Sequence, residues 1–275
     1  MLLGAQLRRL RETASVTRDD AGYHIRASGS KISRMELGRV SFKERDVTDL
    51  LEFYGVDDPA EREKLVQLTR EANATPWYQK FQDVVPDWFH VFVGLEEAAQ
   101  LIRVYEVQFV PGLLQSPAYA REVIQLGHPS ISRDELNRRV ELRMGRKRLL
   151  SRPAPPRLWA ALDEAVLRRP MGDASVMREQ VEHLLEMTDN PNVTLQIVPF
   201  NVGGHSAAGG PFSILRFAEP ELSDVVYLEQ LTSALYIDKP VEVDRYLEVM
   251  ERLCVQAETA ADSITLLEKI RDELP

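Results

Sequence analysis

One cysteine, Cys254, in 275 residues excludes an intrachain disulfide and any cysteine-cluster metal site. Cys254 stands at helical spacing with Leu247, Met250 and Ala257, which makes it a small core residue rather than a reactive one. No run of 18 apolar residues occurs, and Met1-Leu2-Leu3 leads straight into a helical pattern, so no membrane span and no secretory leader are expected and the location expected is cytoplasmic. Histidines are few: His24, His90, His128, His183 and His205 show no metal-ligand spacing, and no metal or other cofactor is expected. Basic residues are outnumbered, 34 Lys and Arg against 43 Asp and Glu, for a net charge of -9. That balance argues against a nucleic-acid partner only if it is uniform. Residues 1–40 hold eight basic and four acidic residues, a local +4, which leaves 26 basic and 39 acidic elsewhere, or -13. An acidic body behind a basic head suppresses nonspecific binding while leaving local phosphate neutralisation intact.

What is present begins at the N-terminus. Leu3, Leu7, Leu10 and Ala14 recur at helical spacing, with Arg8, Arg9 and Arg11 on the other faces, so the first helix has a basic flank. Thr17 caps a second helix, with Asp20 in the place of a capping-box acid and Ala21 and Ile25 facing inward. After a bend at Arg26-Ala27, Ser28 caps a third helix that ends at Gly38; Ile32 and Met35 point to the core. Gly29, Ser30, Lys31, Ser33 and Arg34 are left to solvent. Lys31 and Arg34 can reach guanine edges or phosphates, Ser30 and Ser33 can bond either, and Gly29 permits close backbone approach. Arg18, at the start of the second helix, is placed for the phosphate backbone, where helix N-terminal amides add to its charge. The expected DNA-contacting set is therefore Arg18, Ser28, Gly29, Ser30, Lys31, Ser33 and Arg34. The competing reading, a small bundle whose charged face is merely solvated, explains one charged stripe but not the whole order of elements.

Leu3-Gly4-Ala5-Gln6-Leu7-Arg8-Arg9-Leu10-Arg11 and Lys31-Ile32-Ser33-Arg34-Met35-Glu36-Leu37-Gly38-Arg39 resemble the xenobiotic-response-element (XRE) helix-turn-helix family. That resemblance implies a five-helix DNA-binding domain whose third helix reads the major groove. The family's second helix usually opens Thr-Gln; here it opens Thr17-Arg18, and Gly22-Tyr23 replaces a longer aliphatic side chain, so unusual packing is expected there.

Val47, Leu50, Leu51 and Tyr54 form the inner face of a fourth helix stopping at Gly55, and Asp58-Pro59 opens a fifth with Leu65, Leu68 and Ala72 inward. The head is bounded at residues 1–74, with Ala74-Thr75-Pro76 as linker. The aromatic cluster Trp77, Tyr78, Phe81, Trp88, Phe89 and Phe92, poor in basic neighbours, reads as packing between domains rather than base stacking. Residues 75–275 form an α+β regulatory or interaction domain with a mixed or antiparallel sheet. It is helical over 94–150, first from Gly94 to about Tyr105, then Ala118 to Leu126 and Ser132 to Leu150. The last of these is strongly basic and is expected to be partnered by acidic neighbours. Strands fall within 157–238, at Arg157 to Leu162, Val193 to Phe200, Phe212 to Phe217, Asp224 to Leu231 and Ala234 to Ile237, with a helix from Val176 to Met187. Two helices over 241–274 end the chain.

Pro76-Trp77-Tyr78, Glu106-Val107-Gln108-Phe109-Val110-Pro111-Gly112-Leu113-Leu114-Gln115 with Tyr119-Ala120, and Leu162-Asp163-Glu164-Ala165-Val166-Leu167-Arg168-Arg169 resemble the long C-terminal domain of actinobacterial WhiJ-type, antitoxin-like regulators. The resemblance implies control of development or secondary metabolism, with a small protein encoded nearby as a possible partner.

No catalytic site is expected. His205-Ser206 lies between Gly203-Gly204 and Gly209-Gly210, but a nucleophile elbow needs a helix where Pro211 and a strand follow, so the segment reads as a hairpin loop that could cover a ligand. Asp163 and Glu164 point to opposite faces of a strand, and one of them suits a buried partner for Arg168 or Arg169. The function expected is a DNA-binding transcriptional regulator, homodimeric on double-stranded promoter DNA. The alternatives are an antitoxin-like protein that neutralises a small partner without DNA, and a sensor of a small-molecule effector.

Overall fold

The computed structural model describes residues 2–36, 40–73, 76–218 and 222–274. The chain divides into two compact units, one built on Met1–Trp77 and the other on Tyr78–Ala218 with Ser223–Pro275.

The first unit is a bundle of α1 (Leu2–Thr13), α2 (Arg18–His24), α3 (Gly29–Glu36), α4 (Glu44–Phe53) and α5 (Pro59–Asn73). Leu3, Leu7, Ala21, Ile25, Ile32 and Met35 meet Val47, Leu50, Leu51 and Leu65 in one core. Leu10, Ala14 and Leu68 pack partly buried against it, while the side chain of Ala72 lies outside the described set. Three helices end in the same way. The amides of Ser15 and Val16, Arg26 and Ala27, and Gly55 and Val56 return to carbonyls of the last turns of α1, α2 and α4, which is the Schellman geometry. Each needs a left-handed residue, and φ is 56° at Ser15, 55° at Arg26 and 75° at Gly55. Val16, Ala27 and Val56, which follow, all pack on the core and lock the chain reversal. At the end of α5 the Asn73 amide bonds both the N–H and the C=O of Phe42 and so fastens the bundle's last helix to the segment before α4. The expected stop at Gly38 and the linker residues Ala74 and Thr75 lie outside the described residues.

The second unit runs α6 (Asp87–Ala98), β1 (Leu101–Glu106), α7 (Pro117–Gly127), α8 (Arg133–Arg146), β2 (Arg157–Asp163), α9 (Ala165–Arg168), α10 (Ala174–Thr188), β3 (Val193–Val198), β4 (Phe212–Arg216), β5 (Val225–Glu229), β6 (Ala234–Ile237), α11 (Pro240–Gln256) and α12 (Ala260–Glu273). The six strands make one mixed sheet in the order β3-β2-β1-β4-β5-β6. β1, β2 and β3 are parallel; β4, β5 and β6 form an antiparallel meander on the other side of β1. Tyr105, Phe212, Ile214 and Val226 on one face pack against Val243, Met250 and Leu253 of α11. On the opposite face Phe92 of α6 stacks on Tyr227 of β5 with ring centroids 4.1 Å apart.

Leu101–Glu106, expected as helix, is the central strand β1, with Ile102, Val104 and Tyr105 buried. A strand covered on both faces loses its period-2 alternation, and its apolar run then imitates the end of a helix. Phe89 and Phe92, expected to serve packing between domains, are taken up inside this unit, where the Arg146 guanidinium lies 5.2 and 5.3 Å from their ring centres. Arg146 also makes a buried bidentate pair with Glu96, 2.7 Å at each contact, and Arg138 and Arg139 pair with Asp83 and Glu135, so these three arginines meet acidic neighbours as expected, while Arg143 donates to the Gln115 amide oxygen. Glu164 pairs with Arg168 at 2.8 Å. Cys254 is partly buried against the α11 face of the sheet, and burial pushes its thiol up to about 11. Among the described residues no helix is long and apolar enough to cross a membrane, and no group of metal-ligating side chains assembles.

Candidate nucleic-acid interface

The interface is built by the turn between α2 and α3. Thr17 starts α2: its hydroxyl accepts from the Asp20 amide at 3.1 Å and donates to the Asp20 carboxylate at 2.6 Å. Ser28 starts α3 by accepting from the Lys31 amide at 3.2 Å. Between them the angle of the two helices is set by small residues. A Cβ on Gly22 would lie 2.7 Å from the Ser28 carbonyl carbon and 2.8 Å from the Gly29 nitrogen, backbone atoms that cannot step aside. A Cβ on Gly4 would lie 2.4 Å from the Met35 oxygen, so α1 also presses directly on α3. Gly22 therefore stands where an aliphatic residue is usual because α2 approaches the turn too closely for one, and Tyr23 beside it is 87% exposed. Gly29, expected to admit DNA backbone, has a contact inside the protein: its missing Cβ would meet the Asp19 carboxylate at 2.1 Å.

At 100° per residue, Ser30 and Arg34 stand at the centre of the α3 face opposite Ile32, Met35 and Glu36, with Ser33 and Lys31 on its shoulders. Ser28, Ser30 and Arg34 are exposed, Gly29, Lys31 and Ser33 partly so. Arg34 makes no hydrogen bond or ion pair with any described residue. Lys31 differs from expectation: its ammonium lies 2.5 Å from Asp46 of α4, and its side chain is only 29% exposed.

Glu36 is the residue that sequence reasoning missed. It is buried, and its carboxylate accepts from Arg11 at 2.5 and 3.2 Å and from Arg18 Nε at 3.0 Å. Arg11, expected on the solvent flank of α1, is instead buried, and its Nη1 also donates to the Val16 carbonyl at 2.9 Å. The bond to Glu36 raises the Arg11 guanidinium above its ordinary value, against the opposing effect of burial. One carboxylate thus ties α1, α2 and α3 together. Arg18 keeps 46% of its side chain exposed, and only its Nε is committed to Glu36. Its two terminal nitrogens make no hydrogen bond with a described residue. The available signal was spacing: Glu36 follows Ile32 by four residues and shares its inward face.

Comparison with known families divides at the same place as the fold. Residues 2–65 match a helix-turn-helix domain, of the XRE-like kind that the N-terminal motifs resemble. Residues 89–269, well over half of the chain, match the domain of unknown function DUF5753. The chain belongs to the DUF5753 family. No curated protein and no solved structure was found to match it. The helix-turn-helix match supports a DNA-binding regulator.

Proposed function

We propose that the chain is a sequence-specific DNA-binding transcriptional regulator in which α3 lies in the major groove and α2 crosses the phosphate backbone. The observation that carries this reading is the outward face of α3, where Arg34, free of protein partners among the described residues, stands beside Ser30 on a helix held rigidly from behind by Glu36. An arginine in that position reads guanine bidentately through its O6 and N7. Arg18 and the capped end of α2 position the domain on phosphate, and Lys31, once exchanged from Asp46, adds a further contact.

One such domain reads few base pairs, so the chain acts as a homodimer on half-sites about one helical turn apart, in the cytoplasm. The DUF5753 unit serves dimerisation or the sensing of a partner. Its WhiJ-like segments connect it to antitoxin-like actinobacterial regulators and favour a small protein encoded nearby as that partner.

Fluorescence anisotropy on duplexes tests the assignment. Arg34→Ala weakens the preferred site by about 1–3 kcal/mol and narrows its advantage over other sequences; Arg18→Ala weakens all sequences alike and lowers the salt slope by about 1. Equal losses from both variants on every duplex, with an unchanged salt slope, contradict the reading.

A further inference from the structure

The three parallel strands β1, β2 and β3 end on the same edge of the sheet, and β4 returns on the opposite side of β1 from β2. Outside the carboxyl ends of strands, where the order reverses, is where open α/β sheets hold ligands. Two polar side chains project there from one face: Tyr105 of β1, paired with Ala161, and Asp163 of β2, two residues further on. A third arrives from the segment between β3 and β4. His205 Nε2 lies 2.9 Å from the Tyr105 hydroxyl and 3.7 Å from Asp163 Oδ2, and its ring meets Tyr105 edge-on at 5.5 Å. The Ala207 amide donates to Nδ1 at 3.3 Å, which leaves Nε2 as the nitrogen that carries the proton. Phe212, 6.0 Å from Tyr105, and Tyr246, 5.2 Å from Phe212, carry the aromatic packing from Tyr105 on into the core under α11. The chain's own imidazole thus fills a recess bounded by one carboxylate, one hydroxyl and the Tyr105 ring.

The segment that delivers His205 is bounded by glycines. Gly203 and Gly210 have φ of 70° and 89°, and a Cβ at Gly203, Gly204, Gly209 or Gly210 would touch nothing within 4 Å. No packing contact demands glycine there; backbone freedom at the two ends of the loop does. The neighbouring Ser206 turns its hydroxyl to the Val249 carbonyl at 3.4 Å rather than to His205.

We propose that this recess is a binding site for a small aromatic amine, which places its ammonium on Asp163 and Tyr105, displaces the His205 ring and opens the 203–210 loop. The class follows from the lining. Asp163 only accepts, with Oδ1 held by the Ala165 amide at 2.8 Å and Oδ2 turned to His205; aromatic faces attract cations, and the present occupant is itself a planar N–H donor, whereas an anion is repelled by the carboxylate. The site lies wholly within the DUF5753 unit and does not rest on the DNA-binding assignment: a chain that ignored every duplex would still bind the amine.

The test uses the full chain with tyramine, with 4-hydroxyphenylacetate as the same ring bearing an acid, and with free imidazole. In calorimetry, His205→Gly binds imidazole and binds tyramine about tenfold more tightly than the unaltered chain, because the internal competitor is gone. Adding Asp163→Asn to His205→Gly weakens tyramine by about tenfold or more, and the acid binds neither protein. In parallel, tyramine shifts the ring resonance of His205 in the histidine-labelled unaltered chain, a readout independent of whether the variants fold. A folded His205→Gly that binds neither imidazole nor tyramine, equal binding of amine and acid, or a His205 resonance that saturating tyramine leaves in place overturns the proposal.

Discussion

Single residues decide how firmly the reading helix is held. Arg11 and Glu36 are both buried, and Arg18 shares the same carboxylate. Removing one partner of a buried pair strands the other charge, at a cost of about 3–5 kcal/mol. Glu36→Gln is therefore expected to destabilise the first unit by that order, seen as faster amide exchange over residues 2–73 with the second unit unchanged; uniform exchange in both proteins contradicts it. Lys31 carries the opposite kind of effect. Its ammonium is engaged with Asp46 at 2.5 Å, and this attraction must be given up before phosphate can take its place. Asp46→Asn is expected to raise DNA affinity at low salt and to steepen the salt slope by about 1, in titrations of one duplex over a salt series. The partners of Glu36 and Asp46 were not legible beforehand, because a helical pattern tells which face a charge occupies but not which distant residue meets it.

At the scale of elements, close approach of backbones defines the α2–α3 unit. Gly22→Ala places a methyl within 3 Å of fixed backbone, while Gly29→Ala meets chiefly the Asp19 side chain, which can turn to solvent, with the Arg18 backbone no nearer than 3.3 Å. The first substitution is expected to cost about 1–3 kcal/mol and to impair DNA binding; the second is expected to cost less than about 1 kcal/mol, both read from denaturant midpoints. In the second unit the end of β1 is sensitive to pH. Burial, reinforced by Glu229 and opposed by Arg143, raises the Glu106 carboxyl to about 8 from its ordinary 4.5. The folded protein therefore holds a proton there that the unfolded chain releases, so this contribution to stability is full below pH 4.5 and is lost as pH rises through 8. Glu106→Gln is expected to melt higher than the unaltered chain at about pH 9, with the gap closing toward about pH 5. An equal gap at both values contradicts the assigned cause.

The helices of the head were legible because their caps, turns and apolar stripes agree at every level: Thr17, Ser28 and Gly55 act where their chemistry places them. Strands β2 to β6 were legible from β-branched and aromatic runs between turn residues. β1 was not, since it lies in the middle of the sheet and shows no polar face. The recess at Tyr105, Asp163 and His205 was also hidden, because its members come from strands and a loop that only the topology brings together.

For the whole molecule, charge divides within the first unit rather than at its boundary, since residues 41–77 hold five basic and nine acidic residues. The first 40 residues carry +4 and the remainder -13, so specific contacts are concentrated at one end of a chain whose bulk repels nucleic acid. Such a molecule binds DNA only where the α3 face finds enough base contacts to offset that repulsion. The most direct measurement is selection of bound duplexes from a random library by the full chain and by Arg34→Ala, followed by sequencing. The expected result is a motif of two related half-sites whose centres lie about 10 base pairs apart, with information lost at a matched position in each half for the variant. Enrichment of no sequence, or of the same motif with undiminished information by the variant, contradicts the claim that Arg34 and its neighbours on α3 read DNA.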